Sequence, residues 1–421
     1  MMKKIDEGSM MKKIDEGSMM KKIKVVHIIN SLTYGGAEAM LCSLLARTDR
    51  ERFESMVVAL IDDLPLAERV EALGIPVRVI GMRPGVPDPR GVVRLARLLH
   101  RERPQVVQTW MDHSNLIGGV VARLAARAPV IWGVHHANHI PRLTKRTTLM
   151  TVSACARLSR WLPTRIVCCS ESAREAYARQ GFAAGRLTVI PNGFDTDAFR
   201  PDPAARRDVR RELGLGPDAT LIGLVARYDP FKDHANFLRA AAALKGRLPD
   251  VHFLLCGYGV DPGNETLASM VAALGLQGHC HLLGLRRDVP RLQAGLDLAT
   301  SSSASEAFPL AVGEAMACGV PCVVTDVGDS ASIVGETGRV VPPRDPRALA
   351  AAWEELLALA PDARRRLGQA ARLRVQERYE LVGITRRYEN VYETLCAGGG
   401  RSTAPVLPSA GPAPGYEASQ P

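Results

Sequence analysis

The sequence contains no long hydrophobic run. No window of about 20 uncharged apolar residues occurs in it, so we do not expect a membrane-spanning helix. Long acidic or basic blocks are also missing, and the proportions of hydrophobic (46%) and charged (23%) residues are typical of a globular protein. The length of 421 residues favours two domains, because one core usually holds roughly 100 to 200 residues.

Aromatic residues are scarce, at 5% of the chain. Neither zinc-finger spacing nor an RNP-like aromatic run accompanies them, which argues against the common nucleic-acid-binding modules. The chain is nevertheless basic, with 54 Lys and Arg against 44 Asp and Glu and a formal net charge of +10. We therefore expect the positive charge to face phosphate groups or an anionic membrane rather than nucleic acid.

The cysteines form no recognisable framework. There are nine, an odd number, and several lie in apolar runs, as expected of reduced thiols in a cytoplasmic protein. Cys318 and Cys322 have the spacing of a metal or redox pair, but no second pair lies at ligand spacing. Residues 1–19 hold a nine-residue unit repeated in tandem; we interpret it as tag-like, see no secretory signal in it, and exclude it from the fold.

Short β-branched runs alternate with amphipathic helical stretches from Lys24 onward, the pattern of βαβ units around a parallel sheet. A Pro-, Gly- and Asn-rich stretch at 190–208 interrupts this rhythm. We predict an α/β chain with two doubly wound, Rossmann-like domains at 20–195 and 196–380, a helix at 381–396 that can cross back to the first domain, and a disordered tail at 397–421. Helices are predicted at 36–47, 91–103 and 116–127. The predicted strands lie near Val25, Ser55, Val77, Val106, Val130, Arg165, Thr188, Thr220, Val251, His279, Leu296, Pro321 and Gly338.

Two such domains meet across a cleft, and open parallel sheets bind ligands beyond the carboxyl ends of their strands. The segment YGGAE at 34–38 follows the first strand. Its adjacent glycines, Gly35 and Gly36, let a ligand approach the backbone at a helix start. The Gly-x-Gly-x-x-Gly fingerprint is incomplete, which disfavours a nicotinamide cofactor. A tight turn without a ligand is the alternative.

A second candidate segment, RYDPFK at 227–232, follows the first strand of the second half. Arg227 and Lys232 can converge on a diphosphate and stabilise the charge of a departing nucleoside diphosphate. The alternative is a pair of ordinary exposed basic residues on a loop.

The strongest signal is SSSASEAFPLAVGEAMACGVP at 301–321. A strand ends near Thr300, and Pro309 is placed as the first residue of a helix that runs to Gly319. Glu306 and Glu314 can then face one ligand across the helix start, whose free N–H groups can hold phosphate oxygens. One carboxylate can accept hydrogen bonds from the paired hydroxyls of a ribose, and the other from those of the donor sugar. The alternative has Glu306 as a cap-region charge and Glu314 as a solvated helix residue.

These segments, together with PNGFD at 191–195 and the run from SEAFPLAVGEAMACG to TDVGDS, resemble the retaining glycosyltransferases of family 4, which have the GT-B fold. The resemblance covers residues 24–396 and points to bacterial polysaccharide or lipopolysaccharide synthesis. Its most specific part is the Glu-x7-Glu segment, although the family usually has Gly at the position of Ala307.

The resemblance implies roles for individual residues. Arg227 and Lys232 contact the donor diphosphate, Glu306 the donor sugar and Glu314 the nucleotide ribose. From these roles and the glycine segment we expect acceptor-side residues Gly35 and Asp112 and catalytic residues His135, His136 and Glu306. The expected donor-binding residues are Gly36, Arg227, Lys232, Glu306, Phe308, Pro309, Leu310 and Glu314.

The family's cleft histidine falls in the segment WGVHHANH at 132–139. The sequence does not separate His135 from His136, and we favour His135 as the first residue past the strand. His135 and His139 could mimic a zinc pair, but a third acidic ligand is missing nearby. Asp-Thr-Asp at 195–197 matches a metal-binding Asp-x-Asp, yet its place in the linker indicates turn chemistry. We therefore expect no metal and no cofactor.

The stretch at 142–161 carries five basic residues with apolar residues between them. It can lie on an anionic bilayer, or it can be an ordinary helix with a solvated basic face. The family's frequent use of lipid-linked acceptors favours contact with the inner face of the cytoplasmic membrane.

The resulting expectation is a cytoplasmic, metal-independent retaining glycosyltransferase. It would move a sugar from a nucleotide-sugar, with UDP or GDP preferred, to a glycan or lipid-linked acceptor. The acceptor hydroxyl would attack from the leaving-group face, a route proposed for the family. The alternatives are a nucleotide-sugar 2-epimerase of similar shape and a non-catalytic nucleotide-sugar-binding protein.

Overall fold

The structure is a computed structural model that describes residues 22–83, 85, 88–136 and 144–398. The tag-like repeat at 1–19, the tail from residue 399 onward and His139 of the alternative zinc pair lie outside the described residues.

Seven parallel strands form the first sheet: β1 (Ile23–Ile29), β2 (Phe53–Ala59), β3 (Val77–Val79), β4 (Val106–Trp110), β5 (Val130–Val134), β6 (Arg165–Cys168) and β7 (Leu187–Val189). Their order is β3-β2-β1-β4-β5-β6-β7. Val25 of β1 pairs with Ser55 on one side and with Val106 on the other. The strand order therefore reverses between β1 and β4, the position at which doubly wound sheets open a ligand crevice.

Six parallel strands form the second sheet: β8 (Thr220–Val225), β9 (Val251–Cys256), β10 (Cys280–Leu282), β11 (Leu298–Ser301), β12 (Cys322–Thr325) and β13 (Arg339–Val341). Their order is β10-β9-β8-β11-β12-β13, so this sheet reverses between β8 and β11. Every predicted strand is present, and the predicted α/β class with two doubly wound parallel sheets is confirmed.

Helices cover both faces of the sheets, which is why β4 and β5 are buried along their whole length. The helices are α1 (Gly36–Arg47), α2 (Ala67–Glu71), α3 (Pro89–Glu102), α4 (Asp112–Val121), α5 (Arg146–Leu158), α6 (Glu171–Arg179), α7 (Pro203–Glu212), α8 (His234–Lys245), α9 (Glu265–Ala273), α10 (Val289–Ala294), α11 (Leu310–Ala317), α12 (Ser330–Val334), α13 (Pro346–Ala358), α14 (Pro361–Tyr379) and α15 (Leu381–Cys396).

The predicted bounds of three helices are wrong. Helix α3 begins at Pro89, because the Asp88 side chain accepts a hydrogen bond from the Gly91 N–H at 2.8 Å and caps the helix two residues earlier. Helix α4 begins at Asp112, directly after β4, and its predicted last residues form a π-helical turn at Ala122–Ala126. Helix α11 begins at Leu310 and ends at Ala317.

The chain returns to the first sheet at its C-terminal end. The chain passes between the two halves twice, near Phe194 and near Leu381, and backbone hydrogen bonds join these two crossing segments. The Phe194 N–H donates to the Tyr379 carbonyl at 2.8 Å, and the Leu381 N–H donates to the Phe194 carbonyl at 3.0 Å. Helix α15 then packs on α1, β1 and β4. The Tyr392 hydroxyl donates to Gln108 Oε1 of β4 at 2.5 Å. The two crossings lie side by side, so a hinge between the halves must pass through both.

Candidate active site

The reversal of the second sheet brings together the loops that follow β8 and β11. In the first loop Asp229 organises the backbone: its Oδ1 accepts a hydrogen bond from the Phe231 N–H at 2.9 Å and shapes a 3₁₀ turn at Pro230–Lys232. Its Oδ2 accepts from Arg227 Nε at 3.1 Å. The Arg227 side chain is 40% exposed, so the guanidinium group is oriented but still accessible.

The second loop, residues 302–309, is fastened to the first. The Ser302 hydroxyl donates to the Lys232 carbonyl at 3.0 Å, and the Ala304 N–H donates to the Phe231 carbonyl at 2.8 Å. Thr325, at the end of β12, donates its hydroxyl to the Ser303 carbonyl at 2.7 Å. The loop lacks bulky residues at 301–305, and this lets the two backbones approach each other. The relative positions of the two loops are therefore fixed by hydrogen bonds.

Lys232 and Glu306 meet where these loops touch. Lys232 Nζ forms an ion pair with Glu306 Oε1, and the Ser303 hydroxyl donates to the same oxygen at 2.8 Å. The two side chains are only 21% and 12% exposed, so the pair is less screened by water than a surface salt bridge. Such a site places a cation for phosphate oxygens beside an acceptor for hydroxyl groups.

Helix α11 begins at the same edge. Pro309 is its N-cap, with extended backbone (φ −73°, ψ 102°) and no side-chain cap, instead of the predicted first helical residue. The first N–H groups of the helix thus have no side-chain cap, and they carry the positive end of the helix dipole. Phe308 is buried, with its ring 5.9 Å from Phe194 and 5.6 Å from Tyr379. Its ring therefore anchors the loop, while the backbone beside it borders the cleft.

Glu314 lies one turn further along α11. Burial raises the pKa of its carboxyl group to about 7, and the opposing charge that lowers it is Arg69 of α2. Arg69 belongs to the first half of the chain, so Glu314 faces the cleft between the halves. The alternative of a fully solvated helix residue is wrong.

The glycine segment lies on the opposite wall. A Cβ added at Gly36 would lie 3.6 Å from Leu310 Cδ1, which places the start of α1 against the start of α11. A Cβ at Gly35 would lie 2.3 Å from Glu38 Oε2, because the Glu38 carboxyl group folds back over the turn. Burial raises the pKa of Glu38, and the charge of Arg227 opposes that shift. Gly35, Gly36 and Glu38 therefore border the same space as Arg227.

His135 follows β5 and stacks on Trp110, with ring centroids 5.0 Å apart and an interplanar angle of 18°. Its ring nitrogens are buried and have no hydrogen-bond partner among the described residues. Burial, with the charge of His136 second, lowers the pKa of His135 to about 3. His135 is therefore a neutral imidazole at physiological pH, whereas His136 is exposed.

Asp112 is placed differently from the other predicted residues. It is buried at the start of α4, and its Oδ1 accepts a hydrogen bond from the Tyr177 hydroxyl at 2.9 Å. The Cys155 thiol lies 3.6 Å from its carbonyl oxygen. The carboxylate therefore takes part in a hydrogen bond inside the first half of the chain.

The structure brings Arg227, Lys232, Glu306 and the start of α11 together at one sheet edge, with the glycine segment opposite. Four further residues, which the sequence-based site set did not include, border or brace this region. They are Glu38, Arg69, Ser303 and Asp329. Glu38, Ser303 and Asp329 lie inside the sequence motifs, and Arg69 does not. The action of Arg69 and Asp329 on residues from the other half is revealed by no local pattern.

The interpretation of Asp195 as turn chemistry is confirmed, since its Oδ1 accepts from the Asp197 and Ala198 N–H groups at 3.2 and 3.0 Å. Arg47 pairs with both carboxylates of this turn. In the part of the chain that the structure describes, no group of three His, Cys, Asp or Glu side chains is arranged for a metal ion. The cysteines are free thiols. None of the helices in the described ranges is both long and apolar enough to cross a bilayer.

Comparisons with known proteins agree with this architecture. Residues 34–198 match Glycosyltransferase Family 4, and residues 205–374 match Glycosyl transferases group 1. A crystal structure of Anabaena Alr3699/HepE in complex with UDP-glucose superimposes with a TM-score of 0.78, at 23% identity, over 88% of this chain and 100% of that one.

Two curated relatives extend the comparison. The UDP-Gal:alpha-D-GlcNAc-diphosphoundecaprenol alpha-1,3-galactosyltransferase of Escherichia coli is 27% identical over 260 residues, which span 59% of this chain and 65% of that enzyme. The GDP-mannose-dependent alpha-(1-6)-phosphatidylinositol monomannoside mannosyltransferase of Mycolicibacterium smegmatis is 30% identical over 296 residues, 65% of this chain and 72% of that enzyme. With one family match on each sheet and a relative of this extent, the chain belongs to the family 4, group 1 glycosyltransferases and is a glycosyltransferase with the GT-B fold.

Proposed function

We propose that this glycosyltransferase moves a sugar from a UDP- or GDP-sugar to a glycan or lipid-linked acceptor, with retention at the anomeric carbon and without a metal ion. The observation that carries the proposal is the Lys232–Glu306 pair, which lies beside Arg227 and the start of α11 at the reversal of the second sheet. The printed names of the relatives, one using UDP-Gal and one GDP-mannose, support a nucleotide-sugar donor.

The donor would lie across this edge. Arg227 and Lys232 would hold the diphosphate, and the N–H groups at the start of α11, near Pro309 and Leu310, would complete its anion site. Glu306 would accept hydroxyl groups of the transferred sugar, and Glu314 those of the ribose. As the diphosphate leaves, the same cations offset its growing negative charge, which makes a metal ion unnecessary.

The acceptor would enter from the wall formed by Gly35, Gly36 and His135. Glu306 is held by Lys232 and Ser303, so this carboxylate is unsuited to act as a nucleophile. We therefore assign attack to the acceptor hydroxyl itself, from the side of the departing diphosphate, whose oxygen takes the proton. Both bonds change on one face of the sugar, and the configuration is retained. His135, neutral and facing no other partner among the described residues, would accept a hydrogen bond from the sugar or the acceptor.

The proposal also includes contact with the inner face of the cytoplasmic membrane. Helix α5 carries Arg157, and it leads into Arg160 and Trp161; all three side chains are exposed, Trp161 to 69%. Met150 on the same helix is 72% exposed. Basic and large apolar side chains exposed on one element suit an anionic lipid surface. Such contact would bring a lipid-linked acceptor to the first half of the chain.

Substitution of Lys232 and Glu306 tests the assignment. UDP- and GDP-sugars are first screened for thermal stabilisation of the wild type, since a ligand that binds only the folded state raises its apparent stability. We expect Lys232→Ala to weaken donor binding and Glu306→Ala to lower sugar transfer on the order of 10²-fold, as for the loss of one preorganised electrostatic contact.

Arg339→Ala and Glu355→Ala are matched controls, because Arg339 and Glu355 form an exposed ion pair in the same half, away from the cleft. Neither should alter transfer. Near-normal transfer by Lys232→Ala or Glu306→Ala would refute the proposed site. If the protein formed an epimerised sugar from donor alone, without acceptor, its reaction would be assigned as epimerisation instead of transfer.

A further inference from the structure

Asp329 connects the two halves of the chain. It lies on the turn after β12, and its Oδ2 and Oδ1 accept hydrogen bonds from the N–H groups of Glu171 and Ser172, both at 2.9 Å. These are the first two residues of α6, in the first half of the chain. N–H groups at this end of a helix have no partner within the helix. A carboxylate from the other half therefore satisfies them and complements the helix dipole.

The same turn braces the loop that carries Glu306. The Asp329 N–H donates to the Ala307 carbonyl at 3.0 Å. Gly328 has φ +59°, and a Cβ there would lie 2.4 Å from the Glu306 carbonyl oxygen and 2.8 Å from that of Ala307. This close approach requires glycine and leaves the loop no room to move toward the turn. The turn at 327–330 thus contacts the Glu306 loop on one side and α6 on the other.

We infer that Asp329 is a positioning residue that couples the docking of the two halves to the geometry of the Glu306 loop. The inference rests on the proposed function, because it assigns a purpose to that geometry. When the halves separate, Asp329 loses both N–H partners, and the turn that braces residues 306–307 is freed. Glu306 then reaches its working position only when the wall that carries the acceptor is in place. Donor bound to the open form is thereby spared from hydrolysis by water.

The chain offers a matched control in Asp345. Its carboxylate also accepts two backbone N–H groups at the start of a helix, those of Arg347 and Ala348 at 3.0 and 2.9 Å. Asp345 caps α13, however, and both of its N–H partners belong to the same half of the chain as Asp345 itself. Asp329→Ala and Asp345→Ala therefore remove the same kind of interaction, and only the first removes a link between the halves.

The experiment compares both variants, with Asp329→Asn as a partial restoration. We expect Asp329→Ala to lower kcat on the order of 10- to 100-fold, as for a misplaced catalytic contact, while binding of UDP or GDP, measured by calorimetry, is unchanged. Asp329→Asn keeps one acceptor oxygen and should recover part of kcat. Asp345→Ala should lower the melting temperature to a similar extent and leave kcat unchanged.

Amide hydrogen exchange provides a readout that does not depend on activity. In Asp329→Ala we expect faster exchange at Glu171 and Ser172 and in the peptide that covers residues 304–308; Asp345→Ala should leave both unchanged. A normal kcat in Asp329→Ala, or unchanged exchange in the 304–308 peptide, would overturn the inference and leave the proposed function standing. Failure of the wild type to bind any nucleotide-sugar would overturn the proposed function, while the exchange data would still report whether Asp329 links the halves.

Discussion

Burial of the Glu314 carboxyl group raises its pKa to about 7. We expect this burial to affect folding and the proposed ribose binding in opposite directions. The folded pKa lies above the ordinary value of 4.5. Ionisation in the folded state is therefore unfavourable, and stability is lost as the pH rises from about 4.5 through 7. In the proposed function Glu314 accepts two ribose hydroxyls, and the ionised carboxylate accepts both more strongly than the neutral acid. Nucleotide affinity should therefore increase over the same pH interval.

Glu314→Gln separates these two effects. At pH 8 the variant should melt at a higher temperature than the wild type, and this gain should shrink toward pH 5, where the wild-type carboxyl is protonated. Nucleotide affinity at pH 8 should fall about ten-fold, roughly the loss of one charge-assisted hydrogen bond, and its pH dependence near 7 should disappear. Calorimetric titration and thermal melts at both pH values measure this.

Glu355→Gln is the control for Glu314→Gln. It removes a carboxylate whose pKa is lowered by its hydrogen bond with Arg339, so it should leave the pH dependence of nucleotide binding intact. If Glu314→Gln bound nucleotide like the wild type at pH 8, Glu314 would have no contact with the ribose.

Individual residues also show where prediction from the sequence ends. Arg227, Lys232 and Glu306 could be placed because they follow β-branched runs, and the carboxyl ends of adjacent parallel strands share one edge. Asp329 follows a predicted strand too, but its partners lie 157 and 158 positions away. The charge of Arg69 influences Glu314 only through the arrangement of the two sheets. Contacts of this kind depend on tertiary packing, which a single sequence does not encode in any local period.

At the scale of elements, α15 contains two buried tyrosines that differ in the hydrogen bonding of their hydroxyl groups. The Tyr392 hydroxyl donates to Gln108 Oε1 at 2.5 Å, inside the first sheet. The Tyr388 hydroxyl is buried and has no hydrogen-bond partner among the described residues. A buried polar group without a partner costs stability, whereas a satisfied one contributes to it.

The two Tyr→Phe substitutions should therefore have opposite effects. Tyr392→Phe leaves Gln108 Oε1 buried without its donor and should lower the free energy of unfolding by about 1–3 kcal/mol. Tyr388→Phe removes only an unsatisfied hydroxyl and should be neutral or slightly stabilising. Urea denaturation of both variants measures the difference, and each serves as the control for the other. Equal losses in both variants would contradict the assigned environments.

Elements were predicted more reliably than their ends. The strands could be located because buried parallel strands read as short β-branched runs, and α1 and α15 have the predicted bounds. The predicted start of α3 was wrong because the N-cap residue Asp88 and the first helical residue Pro89 come before the amphipathic pattern begins. The π-helical turn after α4 has no pattern of its own, since its residues are ordinary helix formers.

At the scale of the whole molecule, the question is which part of the surface carries positive charge that acidic neighbours do not compensate. The chain has a formal net charge of +10. Much of the basic surface is internally compensated: Arg286 and Arg291, for example, share Glu212 and Asp288. Arg157, in the last turn of α5, and Arg160, just after that helix, lie instead beside the exposed Trp161. The first turn of α5 contains no acidic residue. Long-range attraction to an anionic bilayer should therefore depend on this region.

Flotation with lipid vesicles tests the membrane contact. The wild type should bind vesicles that contain phosphatidylglycerol and not vesicles of phosphatidylcholine alone, and salt should weaken the binding. Arg157→Ala with Arg160→Ala should reduce binding about 30-fold, at about 1 kcal/mol for each basic residue near the surface. Trp161→Ala should reduce it further without altering its salt dependence, because the indole contributes apolar burial rather than charge.

Arg365→Ala with Arg366→Ala is the control, since Arg365 and Arg366 are exposed on α14 in the second half of the chain. This double variant carries the same loss of net charge, so it distinguishes attraction by the whole molecule from attraction by α5. Equal weakening in both double variants would assign binding to net charge alone. Unchanged binding in Arg157→Ala with Arg160→Ala would remove α5 from the membrane contact, and the path of a lipid-linked acceptor would have to be sought on another face.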